Sequence, residues 1–213
     1  FVLIVPRMVD TLLGCAIAAA AAFLILPDWQ GRQLHRVLAR VLDTAARYLD
    51  SVLGQYRSGM RDDLAYRIAR RDMHNADAAL STALSNMLRE PGHVRRNLDA
   101  GFHFLALSNM LLGHLSALGA HRDQVDSYAG DPLALAAGER VRKALQQLAA
   151  ALAARQQVAE DDNDADRAVA AELEQIDEAM PPKLQLIRTQ MALVLRMLPK
   201  VRAAANEAVR SLT

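Results

Sequence analysis

The chain has 213 residues, a formal net charge of +1, 4% aromatic residues and few glycines and prolines. That length admits a sizeable core, and that composition favours long helices over an all-β fold. The near-neutral balance excludes a broad basic field, so nucleic acid is not an expected partner, and the single cysteine, Cys15, excludes a disulfide framework and a cysteine-based zinc site.

The first thirty residues, FVLIVPRMVDTLLGCAIAAAAAFLILPDWQ, are interrupted only by Arg7 and Asp10 before Leu26. A helix from about Met8 to Leu26 would rise roughly 28 Å, close to the hydrocarbon thickness of a bilayer. Pro27 suits a helix exit and Trp29 a headgroup level. A signal peptide fits poorly, because Arg7 and Asp10 disturb its basic region and no small-x-small cleavage site follows. A core helix fits poorly too, since the segment is apolar on every face. The reading is a transmembrane helix, residues 1–29. Because the chain opens on Phe1, it is expected to be the tail of a larger membrane protein.

The next segment carries Leu34, Val37, Leu38, Val41, Leu42, Ala45, Tyr48, Leu49, Val52, Leu53 and Tyr56 at helical spacing. Arg32, Arg36, Arg40 and Arg47 follow the span closely, which puts this side in the cytoplasm. Ser58-Gly59 ends that helix. A helix over about Asp62–Glu90 has an apolar line of Leu64, Ile68, Met73, Ala76, Leu80, Ala83 and Met87. A polar stripe of Asp63, Arg67, Arg70, His74, Asp77 and Ser81 shares another face. It reads either as a salt-bridge ladder between packed helices or as an ionic surface that docks the domain or senses an anion.

Glu90-Pro91-Gly92 stops the chain. Ala100–Ala120 then has no formal charge, but His103, Ser108, Asn109, His114 and Ser116 are a heavy polar load for lipid. It is expected to be a central bundle helix, buried all round. His103, His114 and His121 share a face, yet eleven residues of helix span roughly 16 Å, too far for two ligands of one metal. No metal site and no cofactor are expected.

A helix over about Pro132–Val158 has the seam Leu135, Val141, Leu145, Leu148 and Leu152. The acidic run from Glu160 to Asp164 reads as a solvated turn at a hairpin tip; it lacks the glycine and terminal glutamate of a calcium loop. A helix over Asp166–Met180 and a break at Pro181-Pro182 follow. The last helix has a heptad seam of Leu184, Ile187, Met191, Val194, Leu198, Val201, Ala205, Ala208 and Leu212. It is expected to pack on the Pro132–Val158 helix of the same chain, with a kink at Pro199. Packing against a second copy, a homo-oligomer, is the alternative.

No phosphate-binding glycine loop or nucleophile elbow is present, so no catalytic residues are assigned and an enzyme is not expected. The runs RMVDTLLGCAIAAAAAFLILPDWQ, AYRIARRDMHNADAALSTALSNMLREP and LLGHLSALGAHR resemble the C-terminal part of the fusaric-acid-resistance-protein-like (FUSC) family, in its YccS/YhfK branch of bacterial inner-membrane proteins. The start at Arg7, Asp10, Thr11 and Gly14 and the block from Arg70-Arg71 to Glu90-Pro91 carry the resemblance, which covers Arg7 to Arg122. It implies efflux of aromatic carboxylic acids or related compounds, with Arg7 and Asp10 at the membrane mouth as substrate candidates. The expectation is therefore all-α: one transmembrane helix, then a cytoplasmic antiparallel bundle over 30–213. Its partners would be the lipid bilayer and the missing transmembrane segments of the same protein. A membrane-anchored interaction or signalling module is the competing function.

Overall fold

A computed structural model describes residues 4–24, 30–58, 63–89, 98–120, 131–158, 163–175 and 180–210. Among them are seven helices and no strand: α1 (Ile4–Leu24), α2 (Gln30–Ser58), α3 (Asp63–Met87), α4 (Leu98–Ala120), α5 (Pro132–Ala154), α6 (Asn163–Leu173) and α7 (Pro182–Arg210). The all-α architecture is as expected. α1 touches no other described helix, while α2–α7 pack together.

The bundle is assembled around α2, which touches α3, α4, α5 and α7. Its apolar residues are so closely spaced that most of its circumference must be covered. Leu34, Leu38, Leu42, Ala45, Leu49, Val52 and Leu53 are buried, and so are His35, Thr44 and Gln55. Among its described residues, a strip of Arg36, Arg40, Arg47, Asp50 and Arg57, at steps of three, four and seven, stays exposed together with the terminal Ser58. Gly138 lets α5 come close to this helix: a Cβ there would lie 2.6 Å from Leu53 Cδ2.

Several expected faces need correction. In α3 the buried line runs through Tyr66, Met73, Ala76, Leu80, Leu84 and Met87, and Leu64 and Ile68 are exposed. The expected line steps back from Met73 by five to Ile68 and by four to Leu64 and so misses Tyr66, whose hydroxyl meets that of the buried Tyr48. α4 is not buried all round. Its neighbours α2, α3 and α7 cover Phe104, Leu107, Leu111, Leu115 and Leu118, and leave Phe102, His103, Ala106, Asn109, Met110 and Gly113 exposed.

α5 stops at Ala154, four residues early. Arg155 takes a left-handed conformation (φ 55°, ψ 38°), and the N–H groups of Arg155 and Gln156 reach Leu152 O at 3.1 Å and Ala151 O at 2.8 Å. This is a Schellman closure without the customary glycine, so no residue type announced it. α6 begins inside the acidic run, at Asn163, where Asp164 and Asp166 complement the positive end of the helix. The seam of α7 is buried from Ile187 to Ala208 and packs within this chain. Its foremost partner is α4, ahead of α6 and of the expected α5. Pro199 lies inside α7, which continues to Arg210; Leu212 lies outside the described residues.

Tyrosines lock the junction of α2, α3 and α4. Tyr48 and Tyr66 join hydroxyls at 3.0 Å, with ring centroids 5.5 Å apart in a tilted pair. Tyr56 donates to Leu118 O at 2.7 Å, tying α2 to the last described turn of α4. Burial, and then the Tyr66 hydroxyl, push the Tyr48 phenol well above its ordinary range, so it stays a neutral hydrogen-bonding group. Gly119 makes room: a Cβ there would sit 2.5 Å from the Tyr66 hydroxyl and 2.9 Å from that of Tyr48. Gly113, one face away, has nothing within 4 Å. Gly119→Ala should therefore cost about 1–3 kcal/mol by overpacking. Gly113→Ala should be neutral or stabilise by about 0.5–1 kcal/mol. Thermal melts of the two variants check the contrast, and equal midpoints would refute it.

Candidate functional site

Three groups of side chains have the chemistry to act: the polar residues of α1, the polar face of α3, and charges buried among α5, α6 and α7. α1 is about 31 Å long and exposed from Ile4 to Ala20; Val5 is 67% exposed and Leu12 66%. Arg7 and Asp10 stand on this helix, both exposed. The Thr11 hydroxyl turns back to Arg7 O at 2.8 Å, which satisfies it without solvent.

The α3 stripe is not a ladder. Arg67, Arg70 and His74 are exposed, and among the described residues no ion pair joins them to Asp77. Asp77 instead accepts a hydrogen bond from Ser108 Oγ on α4 at 2.5 Å. The side chain of Asp63 lies outside the described residues. The opposite charges share a face, but Asp77 sits at its edge and is drawn into the α3–α4 contact. What remains is a cationic patch of Arg67 and Arg70 beside His74.

The histidines divide. His103 is exposed, His114 meets Gln190 Oε1 on α7 through Nδ1 at 2.8 Å, and His121 lies outside the described residues.

Buried charges are what the sequence reading missed. Asp166 is fully buried, accepting from Arg140 Nε at 2.6 Å and from Arg202 Nη1 at 2.5 Å. Arg202, 3% exposed, also reaches Asn163 Oδ1 at 2.9 Å. Next to it, Asn206 pairs its side-chain amide with both backbone groups of Val158, at 2.8 and 2.9 Å. These bonds hold the segment between α5 and α6 against α7. A cleft of about 410 Å³ opens beside them, lined by Arg140, Lys143, Gln147 and Arg202 among others. A signal was available: Asp166, Ala170 and Leu173 share one face, so a carboxylate stood in line with the buried residues.

A second buried pair fixes the start of α5. Asp131 caps the helix by accepting from Leu133 N at 3.2 Å and takes a two-pronged contact from Arg188, at 2.8 and 3.1 Å. Burial alone would raise the carboxyl's pKa, but the Arg188 guanidinium and the backbone N–H groups of Ala134 and Leu133 hold it below the ordinary carboxylate range.

Removing Asp166 takes the counter-charge from the buried Arg202 guanidinium and one partner from Arg140. Asp166→Ala should cost about 3–5 kcal/mol in urea unfolding, and Arg70→Ala, an exposed site, no more than about 0.5 kcal/mol. Comparable losses would contradict this assignment. Asp131 contributes stability that is complete above the ordinary carboxylate pKa and is lost as pH falls through its lowered value. Asp131→Asn should thus flatten the acid limb of the stability curve below about pH 4, measured by melts across pH; an unchanged limb would count against the pair.

The sequence family described as aluminium activated malate transporter matches residues 1–86. The chain is 50% identical over 125 residues to inner membrane protein YccS of Escherichia coli (strain K12), covering 59% of this chain and 17% of that protein. It is 47% identical over 122 residues to an uncharacterized protein of Haemophilus influenzae, covering 57% of this chain and 17% of the relative. Against uncharacterized protein ORF2 of Neisseria gonorrhoeae, identity is 34% over 114 residues, 53% of this chain and 27% of that protein. The chain thus spans a small part of each relative. No solved structure matches it.

Proposed function

We propose, on the premise that this chain is a YccS-like member of the FUSC family, that it is the C-terminal part of an inner-membrane efflux transporter. In this reading α1 is the last transmembrane helix, and α2–α7 form a cytoplasmic domain that assembles or regulates the membrane part. The observation that carries it is the contrast between α1, apolar and exposed from Ile4 to Ala20, and α2–α7, which bury an apolar core among themselves. Such an exposed apolar surface needs a non-aqueous neighbour, and the name of a relative, inner membrane protein YccS, supports a bilayer and adjoining spans.

Arginines 36, 40 and 47, exposed on α2 just after α1, support a cytoplasmic location for the bundle, since basic residues near a span are retained on that side. The substrate class proposed is organic anions, aromatic carboxylates or related compounds. Malate, in the description of the matching family, is likewise an organic anion. Arg7 and Asp10 would then face the transport path, because ionisable groups near membrane depth are costly unless they face a cavity, a bundle interior or the interface. The cationic patch of Arg67 and Arg70 would dock the domain on the membrane part.

The chain from residue 33 onward should remain in solution without detergent, whereas residues 1–213 should sediment with membranes and resist alkaline extraction. In a Cys15→Ser background, Arg71→Cys should react with a membrane-impermeant maleimide in inside-out vesicles and not in right-side-out ones. Equal solubility of the two chains would remove the span, and labelling only in right-side-out vesicles would reverse the orientation.

A further inference from the structure

We propose that the end of the bundle tethered to α1 binds anionic lipid headgroups through Arg36 and Arg40 of α2 and Arg89 at the end of α3. This surface rests on α1 being a membrane span. Antiparallel contacts decide which residues share that end. Tyr48 of α2 meets Tyr66 of α3 and Thr44 meets Met73, so α3 runs back towards the start of α2, where Leu34 and Leu84 both adjoin Gly101. α5 runs back likewise, from Gly138 against Leu53 to Arg155 against His35.

Charge is distributed unevenly along this face. The exposed strip of α2 lies between α3 and α5: Arg47 lines a groove with Ile68 and Asp72, and Arg57 lies 3.8 Å from Glu139. In its far half each arginine has a carboxylate, Arg47 that of Asp43 at 2.5 Å and Arg57 that of Asp50 at 3.6 Å. Arg36, Arg40 and Arg89 are exposed and have no ion pair among the described residues. Asp43 is three residues from Arg40 but is taken by Arg47. The flanking helices offer no counter-charge, since α3 from Ala78 to Leu88 and α5 from Ala144 to Ala154 contain no charged residue. Arg155 is engaged with His35 Nε2 at 3.4 Å and adds nothing to the surface. Asp99 in the first turn of α4 answers one cation at most, and the last turn of α7 holds one charge of each sign, Glu207 and Arg210. The acidic run from Glu160 leads into α6, which touches α5 and α7 but neither α2 nor α3.

Tethering makes a weak attraction sufficient. α1 ends at Leu24 and α2 begins at Gln30, a separation of at most about 22 Å. A spanning α1 therefore holds this end of the bundle near the headgroups and makes the contact intramolecular. Each basic residue close to an anionic surface strengthens the contact on the order of fivefold, the equivalent of about 1 kcal/mol. Arginine suits the task because its planar guanidinium donates in pairs to phosphate oxygens. Leu88, 48% exposed beside Arg89, offers an apolar side chain to the boundary below the phosphates. An orientation bias would count Arg47 as readily as Arg40, whereas a phosphate contact needs the cations that no carboxylate holds. Arg67 and Arg70 stand at the opposite end of α3 and take no part.

The test uses the full chain carrying Cys15→Ser and Ser85→Cys, reconstituted into phosphatidylcholine vesicles with and without phosphatidylglycerol. A donor dye is attached from outside, and energy transfer to an acceptor on lipid headgroups reads how close the domain lies to the surface. Transfer should be higher with phosphatidylglycerol and return to the neutral value as salt is raised. Arg36→Gln and Arg40→Gln should each lower the equilibrium constant for surface contact about fivefold, while Arg57→Gln, at the paired far end, leaves it unchanged. Inorganic phosphate and chloride at equal ionic strength should compete alike; stronger competition by phosphate would mean a discrete phosphate pocket and overturn the lipid surface. A chain that floats with the vesicles but whose transfer is indifferent to phosphatidylglycerol, or to Arg36→Gln and Arg40→Gln together, overturns this proposal alone. A chain that does not float with neutral vesicles overturns the span, and this proposal with it.

Discussion

The bundle depends on the need of α2 to be covered on nearly its whole circumference. A surface helix needs one neighbour or two; α2 has four, α3, α4, α5 and α7. Each fully buried Leu or Val contributes about 1.5–3 kcal/mol relative to exposure. Exposed pairs such as Arg47–Asp43, with side chains 58% and 47% exposed, contribute about 0–1 kcal/mol. The apolar term therefore decides where the other helices go. Close approach to α2 then imposes the small residues, Gly138 opposite Leu53 and Gly119 under the two tyrosine hydroxyls.

Buried charges act on a different level. The Asp166 and Asp131 contacts replace hydration that these carboxylates lose, so they add little beyond what an apolar core would give. What they supply is position. Arg202 and Asn206 hold α6 and the end of the α5 segment to α7, and Arg188 ties the first turn of α5 to the same helix. α7 is thus a spine on which two otherwise weakly held segments are registered. α6, eleven residues long, would be marginal as an isolated helix, which fits its dependence on these bonds.

The contrast between α1 and the bundle bears on the proposed role. Among the described residues α1 makes no contact with α2–α7 and its apolar surface stays uncovered, while α2–α7 complete a core among themselves. In the proposed reading, the cationic residues of α3 would be the surface through which that domain meets the membrane part.

Much of this was determined by the sequence alone. Periodicities of three and four residues identified the helices, the apolar opening separated α1 from the rest, and the α7 seam required a partner. Those features follow from local chemistry, because an apolar stripe must be buried wherever the helix sits. The family resemblance was legible in the same residues. Only the tertiary structure decided which helix met which: α4 rather than α5 as the main partner of α7, Tyr66 rather than Ile68 as the buried residue of α3, and one exposed face on α4. It also decided that Asp77 pairs with Ser108 and that Asp166 collects two arginines. These depend on groups 26 to 36 residues apart coming within hydrogen-bonding distance. No local pattern encodes that proximity, since it arises only when the apolar faces of several helices have chosen their neighbours.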